Sequence, residues 1–440
     1  MLAEDFKILL EEFISLKSIS TNSKYHDEME KTFTWLKSNF EKNGFKTKEI
    51  KAPNSNSVIF AEYKVSDDAE TILIYGHYDV QPAEMKDGWS SEPFSLTEKE
   101  GRLIARGVVD NKGQIFIHMY TIFKLIKEKK LKYNIKFLIE GNEETANPDM
   151  EKIVSENTEL LKSDYLVISD GEMIGDNPTI SAGLRGGTNI KITYKTANTN
   201  VHSGIFGSAI PSAALELIKL IDNMFDNAHI FKPDWFYKDV DEILPEQLEY
   251  HAKIAPMAEK SLEDIGVKQM LTEPGLDFFS QTGLRPTVTV TGFKTGYIEE
   301  GFSNIIPAMA EAKVNFRFVT SQNAEEIIKN FIDYVEENTP EYVECTIDIT
   351  ESSDPVKVDT NSEMFKKVRK LIVKTYEQEP IVRYVGGSIP FVSYAKTYLG
   401  QDALLIDLAN EDCNMHGIDE NFKIDLIEKG LGLSYELFSK

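Results

Sequence analysis

Seven residues of this chain have the types and spacing to hold divalent cations and move protons. They are His77 and Asp79 in ILIYGHYD, Asp110 in RGVVDNKG, Glu143 and Glu144 in IEGNEE, Asp170 in YLVISD and His416 in NMHGIDE. His77 and Asp79 lie two apart, so in an extended chain both side chains leave the same face. That suits an imidazole bound to metal through one nitrogen, with its other N–H held by a carboxylate. Glu143 and Glu144 are adjacent and therefore diverge, so that one can bind a cation while its neighbour stays free to take a proton from water. Asp110 occupies a glycine-flanked loop, where a carboxylate could bridge two cations roughly 3.5–4 Å apart.

Each of these residues also has a plainer reading. A lone histidine at a strand end is more often structural, and strand-end carboxylates often only cap the helix that follows. His118, inside the apolar run GQIFIHMYTIF, reads as a core or rim histidine, and His26, His229 and His251 are placed with it. Cys413 stands near His416, but nothing around it marks a thiol nucleophile.

The elements that must position these residues decide between the readings. Two amphipathic helices open the chain, the second ending at Asn43-Gly44. Apolar runs at 72–79, 135–144, 165–170 and 403–409 then alternate with helical patterns at 113–130 and 149–162. Alternation of this kind predicts a mainly parallel sheet covered by helices. In such sheets ligands gather at the carboxyl ends of the strands, which is where His77, Glu143, Glu144, Asp170 and, a short loop on, His416 fall.

After Arg185 the pattern changes. Period-two strands at 188–196, 286–293, 312–318 and 343–349 and helices at 211–225 and 323–338 give the order βαββαβ, an open-faced sandwich, interrupted by a helical insertion near 226–282. The expected domains are residues 1–185 and 355–440, forming one α/β body, with 186–354 inserted. No internal repeat or low-complexity tract appears.

Composition narrows the class. The 440 residues, 41% hydrophobic and 27% charged, suit a two-domain globular enzyme. A net charge of −24 argues against nucleic acid, whose phosphates call for clustered Lys and Arg. Two distant cysteines, Cys345 and Cys413, exclude a disulfide framework. The N-terminal MLAEDFKILLEEFISL lacks the basic-then-apolar order of a signal peptide, and no apolar run spans a bilayer. A cytoplasmic protein with no membrane partner is the expectation.

Six motifs, GHYDVQP, DGWSSEPF, RGVVDNKG, EGNEETANP, SDGEM and NMHGIDE, resemble in this order the M20 family of metallopeptidases, and within it the carnosinase-like, nonspecific dipeptidase branch. The resemblance spans almost the whole chain. It implies a dinuclear zinc exopeptidase fold with an inserted lid and dimerisation domain. His77, Asp110, Glu144, Asp170 and His416 would hold two divalent ions, with Asp110 bridging. Zinc is the expected ion, with manganese or cobalt as alternatives.

The same resemblance makes Glu143 the general base acting on a water that bridges the metals, and Asp79 the residue orienting His77. It implies a cis peptide at Asp110-Asn111. His202, in HSG, would stabilise the oxyanion in the partner subunit of a homodimer. Asn304 in FSNIIP, Arg317 in NFRFV, and Gly387 and Ser388 in GGSIP would contact the substrate's carboxylate. A solvated sheet face is the plainer reading of Arg317, and an ordinary turn that of Gly386-Gly387. The branch often has Thr where Asn304 stands, which bears on fine substrate preference.

The function implied is hydrolysis of dipeptides or short peptides with a free C-terminal carboxylate. The alternative is an N-acyl-amino-acid deacylase of the succinyl-diaminopimelate or acetylornithine type. The 226–282 insertion and DGWSSEPF favour the dipeptidase. A non-catalytic scaffold of this family would have lost ligands or base, and this chain retains both.

Overall fold

Strands buried on both faces need apolar side chains at nearly every position, and the segments leading to the chemistry-bearing residues meet that requirement. A computed structural model describes residues 2–350, 352–387 and 389–440, the side chains of residues 246, 259–261 and 264 excepted. The chain forms two compact units, one of Met1–Ala182, Val358–Arg383 and Phe391–Lys440, the other of Gly183–Lys357 and Tyr384–Pro390. In chain order the principal strands are β1 (Lys46–Ile50), β2 (Val58–Tyr63), β3 (Thr71–His77), β4 (Asn134–Glu140), β5 (Tyr165–Ile168), β6 (Thr179–Leu184), β7 (Gly186–Lys195), β8 (Thr287–Thr295), β9 (Met309–Phe318), β10 (Glu344–Ile349) and β11 (Ala403–Asp407). The principal helices are α1 (Glu4–Ser15), α2 (His26–Lys42), α3 (Lys112–Glu128), α4 (Met150–Glu156), α5 (Ala213–Met224), α6 (Pro245–Asp264), α7 (Phe278–Leu284), α8 (Ala324–Glu337), α9 (Glu363–Tyr376) and α10 (Ile424–Phe438).

In the first unit the sheet runs β1-β2-β4-β3-β5-β11-β6. Its centre, β4-β3-β5-β11, is parallel, and the flanking pairs are antiparallel. Every residue of β3 from Ile72 to His77 is buried, and so is all of β11. Helix α3 buries twelve residues, including Lys112 and His118, and its Phe116 meets Phe6 of α1 at 5.2 Å. Lys112 donates from Nζ to the carbonyls of Phe13 (3.0 Å) and Leu16 (2.6 Å), capping the end of α1 with a charge whose pKa burial pulls down to about 7. His118 is the satisfied core histidine expected: its ring nitrogens sit 2.9 Å from Ser169 Oγ and 3.1 Å from Ser434 Oγ, and burial lowers its pKa to about 4. His26 is exposed rather than core.

The second unit has the expected βαββαβ order, an antiparallel sheet β8-β9-β7-β10. Ile190, Ile192, Tyr194, Val314, Phe316 and Phe318 point to one face and pack with Leu217, Leu220 and Met224 of α5 and Phe331 and Val335 of α8. The alternation that makes one face apolar leaves Lys191, Lys313 and Asn315 on the other. The 226–282 insertion supplies α6 and the start of α7. His251, on α6, is buried and accepts the Tyr384 N–H at Nε2, whereas His229 is exposed.

Candidate metal centre

Four loops at the carboxyl edge of the parallel strands bring together all seven candidates of the first unit. His77 is the last residue of β3 and is wholly buried. Its Nδ1–H donates to the backbone carbonyl of Asp79 at 3.0 Å, while Asp79 Oδ1 lies at 3.3 Å. The backbone, more than the carboxylate, thus orients the ring. The Asp79 carboxylate instead accepts the N–H groups of Glu143 and Glu144, each at 3.2 Å, and the Ser20 hydroxyl at 2.7 Å. It therefore fixes the turn that carries both glutamates as well as lying against the imidazole.

His77 Nε2 is 3.0 Å from Asp110 Oδ1 and 3.7 Å from Asp170 Oδ2. Despite that proximity it has no hydrogen-bond partner of acceptable geometry and is shut off from solvent. A buried ring nitrogen left unpaired is costly. Aimed at the space between two carboxylates, it has the arrangement of a donor to a cation. Asp110 Oδ2 in turn lies 2.8 Å from His416 Nε2, which is 3.1 Å from Glu144 Oε2. Two groups result, His77–Asp110–Asp170 and Asp110–Glu144–His416, each with ligand atoms within 4.8 Å of one another, and they share Asp110. Two imidazoles and carboxylates suit zinc, manganese or cobalt. Glu143 is held by its backbone, its N–H on Asp79 and its carbonyl accepting the Ala146 N–H at 2.9 Å, while among the described residues nothing donates to its carboxylate.

The electrostatics follow from crowding like charges. Burial alone would push the His77 imidazole down, but Asp170 and Asp110 raise it well above its usual value. Hydrogen bonds to Asp110 and Glu144 raise His416 to about 10. Burial would raise the Asp110 carboxyl, yet the two histidines hold it below the usual range. Burial, with Asp170, Asp110 and Glu140 nearby, raises Glu143 well above it.

Sequence reasoning missed the residues that support this edge. Asn111 donates to Asp170 Oδ1 at 2.7 Å and accepts the His77 N–H at 3.4 Å. The Asp110–Asn111 peptide is cis, as the resemblance implied. A Cβ on Gly76 would come within 2.6 Å of Asn111 Oδ1, and one on Gly113 within 1.7 Å of the Val108 carbonyl oxygen, so both positions need glycine. Gln81 donates to Glu144 Oε2 at 2.7 Å. Only the family motifs themselves, GHYDVQP and RGVVDNKG, carried a signal for these residues.

The remaining candidates lie in the second unit. His202 is exposed, its Nδ1 accepts the Gly204 N–H at 3.0 Å, and it pairs with Ile305 in a two-residue ribbon. The Ser203 N–H donates to the Asn304 carbonyl at 2.9 Å, so that ribbon brings His202 and Asn304 together. Arg317, on β9, is half-buried against Gly187, and burial lowers its pKa. Arg185 lies close to it: burial and the Arg317 charge bring Arg185 down to about 10. Gly387 is exposed after the strand ending at Val385, and Ser388 lies outside the described residues.

These features define a class: an α/β protein with two cation-competent groups that share one carboxylate beside a further glutamate, Glu143. The chain belongs to peptidase family M20/M25/M40, whose family model matches residues 73–440. It is 29% identical over 421 residues to a cysteinylglycine-S-conjugate dipeptidase from Corynebacterium striatum, covering 94% of this chain and 90% of that one. It is 27% identical to a human beta-Ala-His dipeptidase, covering 82% and 73%. An M20 family metallo-carboxypeptidase from Sulfolobus solfataricus, Sso-CP2, superposes with a TM-score of 0.90 at 28% identity over 99% of each chain. The expected fold class is borne out. No described helix is long and apolar enough to cross a membrane.

Because Asp110 faces both histidines, its loss should empty both groups, whereas loss of Asp170 should empty one. Protein stripped by chelation and dialysed against cobalt should hold two ions per chain, Asp170→Ala one and Asp110→Ala none, by elemental analysis. Two ions retained by Asp110→Ala would remove it from the centre.

Proposed function

We propose that the protein is a dinuclear metal-dependent dipeptidase, with zinc its native ion, that hydrolyses short peptides bearing a free C-terminal carboxylate. The carrying observation is the pair of ligand groups sharing Asp110, beside a Glu143 carboxylate that accepts no hydrogen bond among the described residues. The relatives' names support the substrate class, since dipeptidase and carboxypeptidase both denote cleavage next to a free carboxyl terminus. His77, Asp110, Asp170, Glu144 and His416 hold the ions. Two divalent cations held there would supply Lewis acidity toward the scissile carbonyl and toward water.

The chain's own residues do the rest. Glu143 takes the proton of the attacking water and returns it to the leaving amine. Asp79 keeps Glu143 and Glu144 in register through their N–H groups. Arg317 offers a planar fork to the substrate carboxylate, with Asn304, Gly387 and Ser388 completing its contacts. The closeness of a second guanidinium, Arg185, favours an anion there. His202 donates to the developing oxyanion.

The working unit is a cytoplasmic homodimer in which His202 serves the active site of the partner subunit. Apolar side chains left exposed on the inserted unit support self-association: Leu215 and Ile218 on α5, Phe293 on β8 and Met309 on β9. A two-fold axis would cover the same face on both copies.

Glu143→Gln should lower kcat by about 10²–10⁴-fold, the usual loss for a general base, while both ions remain bound. Rate and metal content need measuring together; lost metal with a modest loss of rate would exchange the roles of Glu143 and Glu144. Amidation of the C-terminus of a good dipeptide should cut kcat/KM strongly. An amide hydrolysed as well as the acid would free Arg317 and Asn304 of their assigned contacts. His202→Ala and Glu143→Ala homodimers should each be nearly inactive. After verified subunit exchange, half the dimers are mixed and each has one intact site, so about a quarter of wild-type activity should return. No recovery would mean that His202 does not act across subunits.

A further inference from the structure

Two residues of the chemistry-bearing motifs have no role in the reaction above: Arg106, which opens RGVVDNKG, and Glu420, which closes NMHGIDE. They form an ion pair at 2.8 Å, with both side chains buried. A buried pair of this kind is weak evidence for stability, because desolvation offsets most of the attraction. What the pair does hold is specific. Glu420 Oε1 accepts the N–H groups of Val109 (2.8 Å) and Asp110 (3.0 Å). Its Oε2 accepts the Gly107 N–H (2.9 Å) and Arg106 Nη1 (2.8 Å). All four acceptor positions of one carboxylate are spent on residues 106–110. Arg106, stacked over Trp89 at 5.2 Å, reaches the other way and donates from Nη2 to the Gly417 carbonyl at 2.9 Å. Gly417 follows His416, and Asp110 and His416 face one another at 2.8 Å.

We propose that the Arg106–Glu420 pair is a positioning element for the second cation. It fixes the segment of Asp110 to the segment of His416, across more than 300 residues of sequence, and so sets the affinity of the Asp110–Glu144–His416 group relative to the His77–Asp110–Asp170 group. The reason the effect is unequal lies in the histidines. His77 ends a buried strand and is held by its neighbour's carbonyl, so it keeps its place without the clamp. His416 has 55% of its side chain exposed and a left-handed backbone (φ +59°). Its loop needs an outside tie, and Arg106 to Gly417 supplies one. This inference rests on the reading of the five residues as cation ligands.

The test is cobalt binding to the metal-free, full-length protein, read by competition with a chromophoric chelator and by the cobalt visible spectrum. Wild type should bind two ions with resolvable affinities. Arg106→Met/Glu420→Gln removes both charges together, and Arg106→Lys keeps the charge but cannot hold Glu420 and Gly417 at once. Both variants should bind the first ion as wild type does and the second about 10–100-fold more weakly, as is usual when the support of a ligand is lost. The spectral component of the second ion should change with it. Two unchanged affinities, or two that fall by the same factor alongside a lower Tm, would make the pair merely structural and overturn the proposal, as would failure of both variants to fold. Wild type that binds fewer than two ions would instead defeat the metal reading on which the proposal stands.

Discussion

The fold is built around a concentration of negative charge that it would otherwise resist. Asp110, Glu144 and Asp170 bring carboxylates together at one strand edge, with Glu143 and Glu140 close behind. Two unit charges 4.8 Å apart repel by about 3–4 kcal/mol at an effective dielectric of 20, and several such pairs add. Something positive has to sit among them. In the protein alone that role falls to the two imidazoles, which is why His77 and His416 both hold protons more tightly than a free histidine would. A divalent cation bound there would replace those protons with a larger charge at the same place, and its binding would release them.

The parallel sheet is the answer to the positional half of this problem. Strands β3, β5 and β11 run the same way, so the loops leaving them converge on one edge although they are distant in sequence. Buried apolar strands hold those loops still. Tight approaches then refine the edge: Gly76 leaves room for the Asn111 amide, which ties the His77 N–H to Asp170, and Gly113 lets α3 start against Val108. The geometry of this edge thus depends on neutral amides and glycines as much as on the charged groups they place.

That dependence explains what was legible in the sequence. Period and composition gave the parallel core, the βαββαβ insert and the strand ends, because each is a local property of apolar spacing. The candidate ligands were legible because imidazole and carboxylate at a strand end are conspicuous. Asn111, Gln81, Arg106 and Glu420 were not, since their partners lie tens to hundreds of residues away and their types are common on any surface. Asp79 was read half correctly. Its spacing from His77 pointed to the contact with the imidazole, but no sequence period shows a carboxylate turning to collect the N–H groups of Glu143 and Glu144. The histidines sorted by burial as well: His118 and His251 are satisfied within their units, while His26 and His229 lie outside the core.

Asp79 and Glu420 use one physical device. Each is a buried carboxylate that takes backbone N–H groups from a segment carrying cation candidates: Asp79 from the Glu143–Glu144 turn, Glu420 from the Asp110 loop. Backbone N–H groups are fixed in direction once the chain is fixed, so a carboxylate that accepts two of them constrains the chain more tightly than a contact between mobile side chains would. The device differs in reach. Asp79 acts within neighbouring strand ends, where the sheet already limits movement. Glu420 follows a loop with left-handed residues at Asn414, His416 and Asp419, a conformation that costs non-glycine residues energy and persists only when surroundings dictate it. The short-range carboxylate therefore adjusts a geometry the sheet has already chosen, whereas the long-range one, with Arg106, has to create the geometry in which His416 meets Asp110.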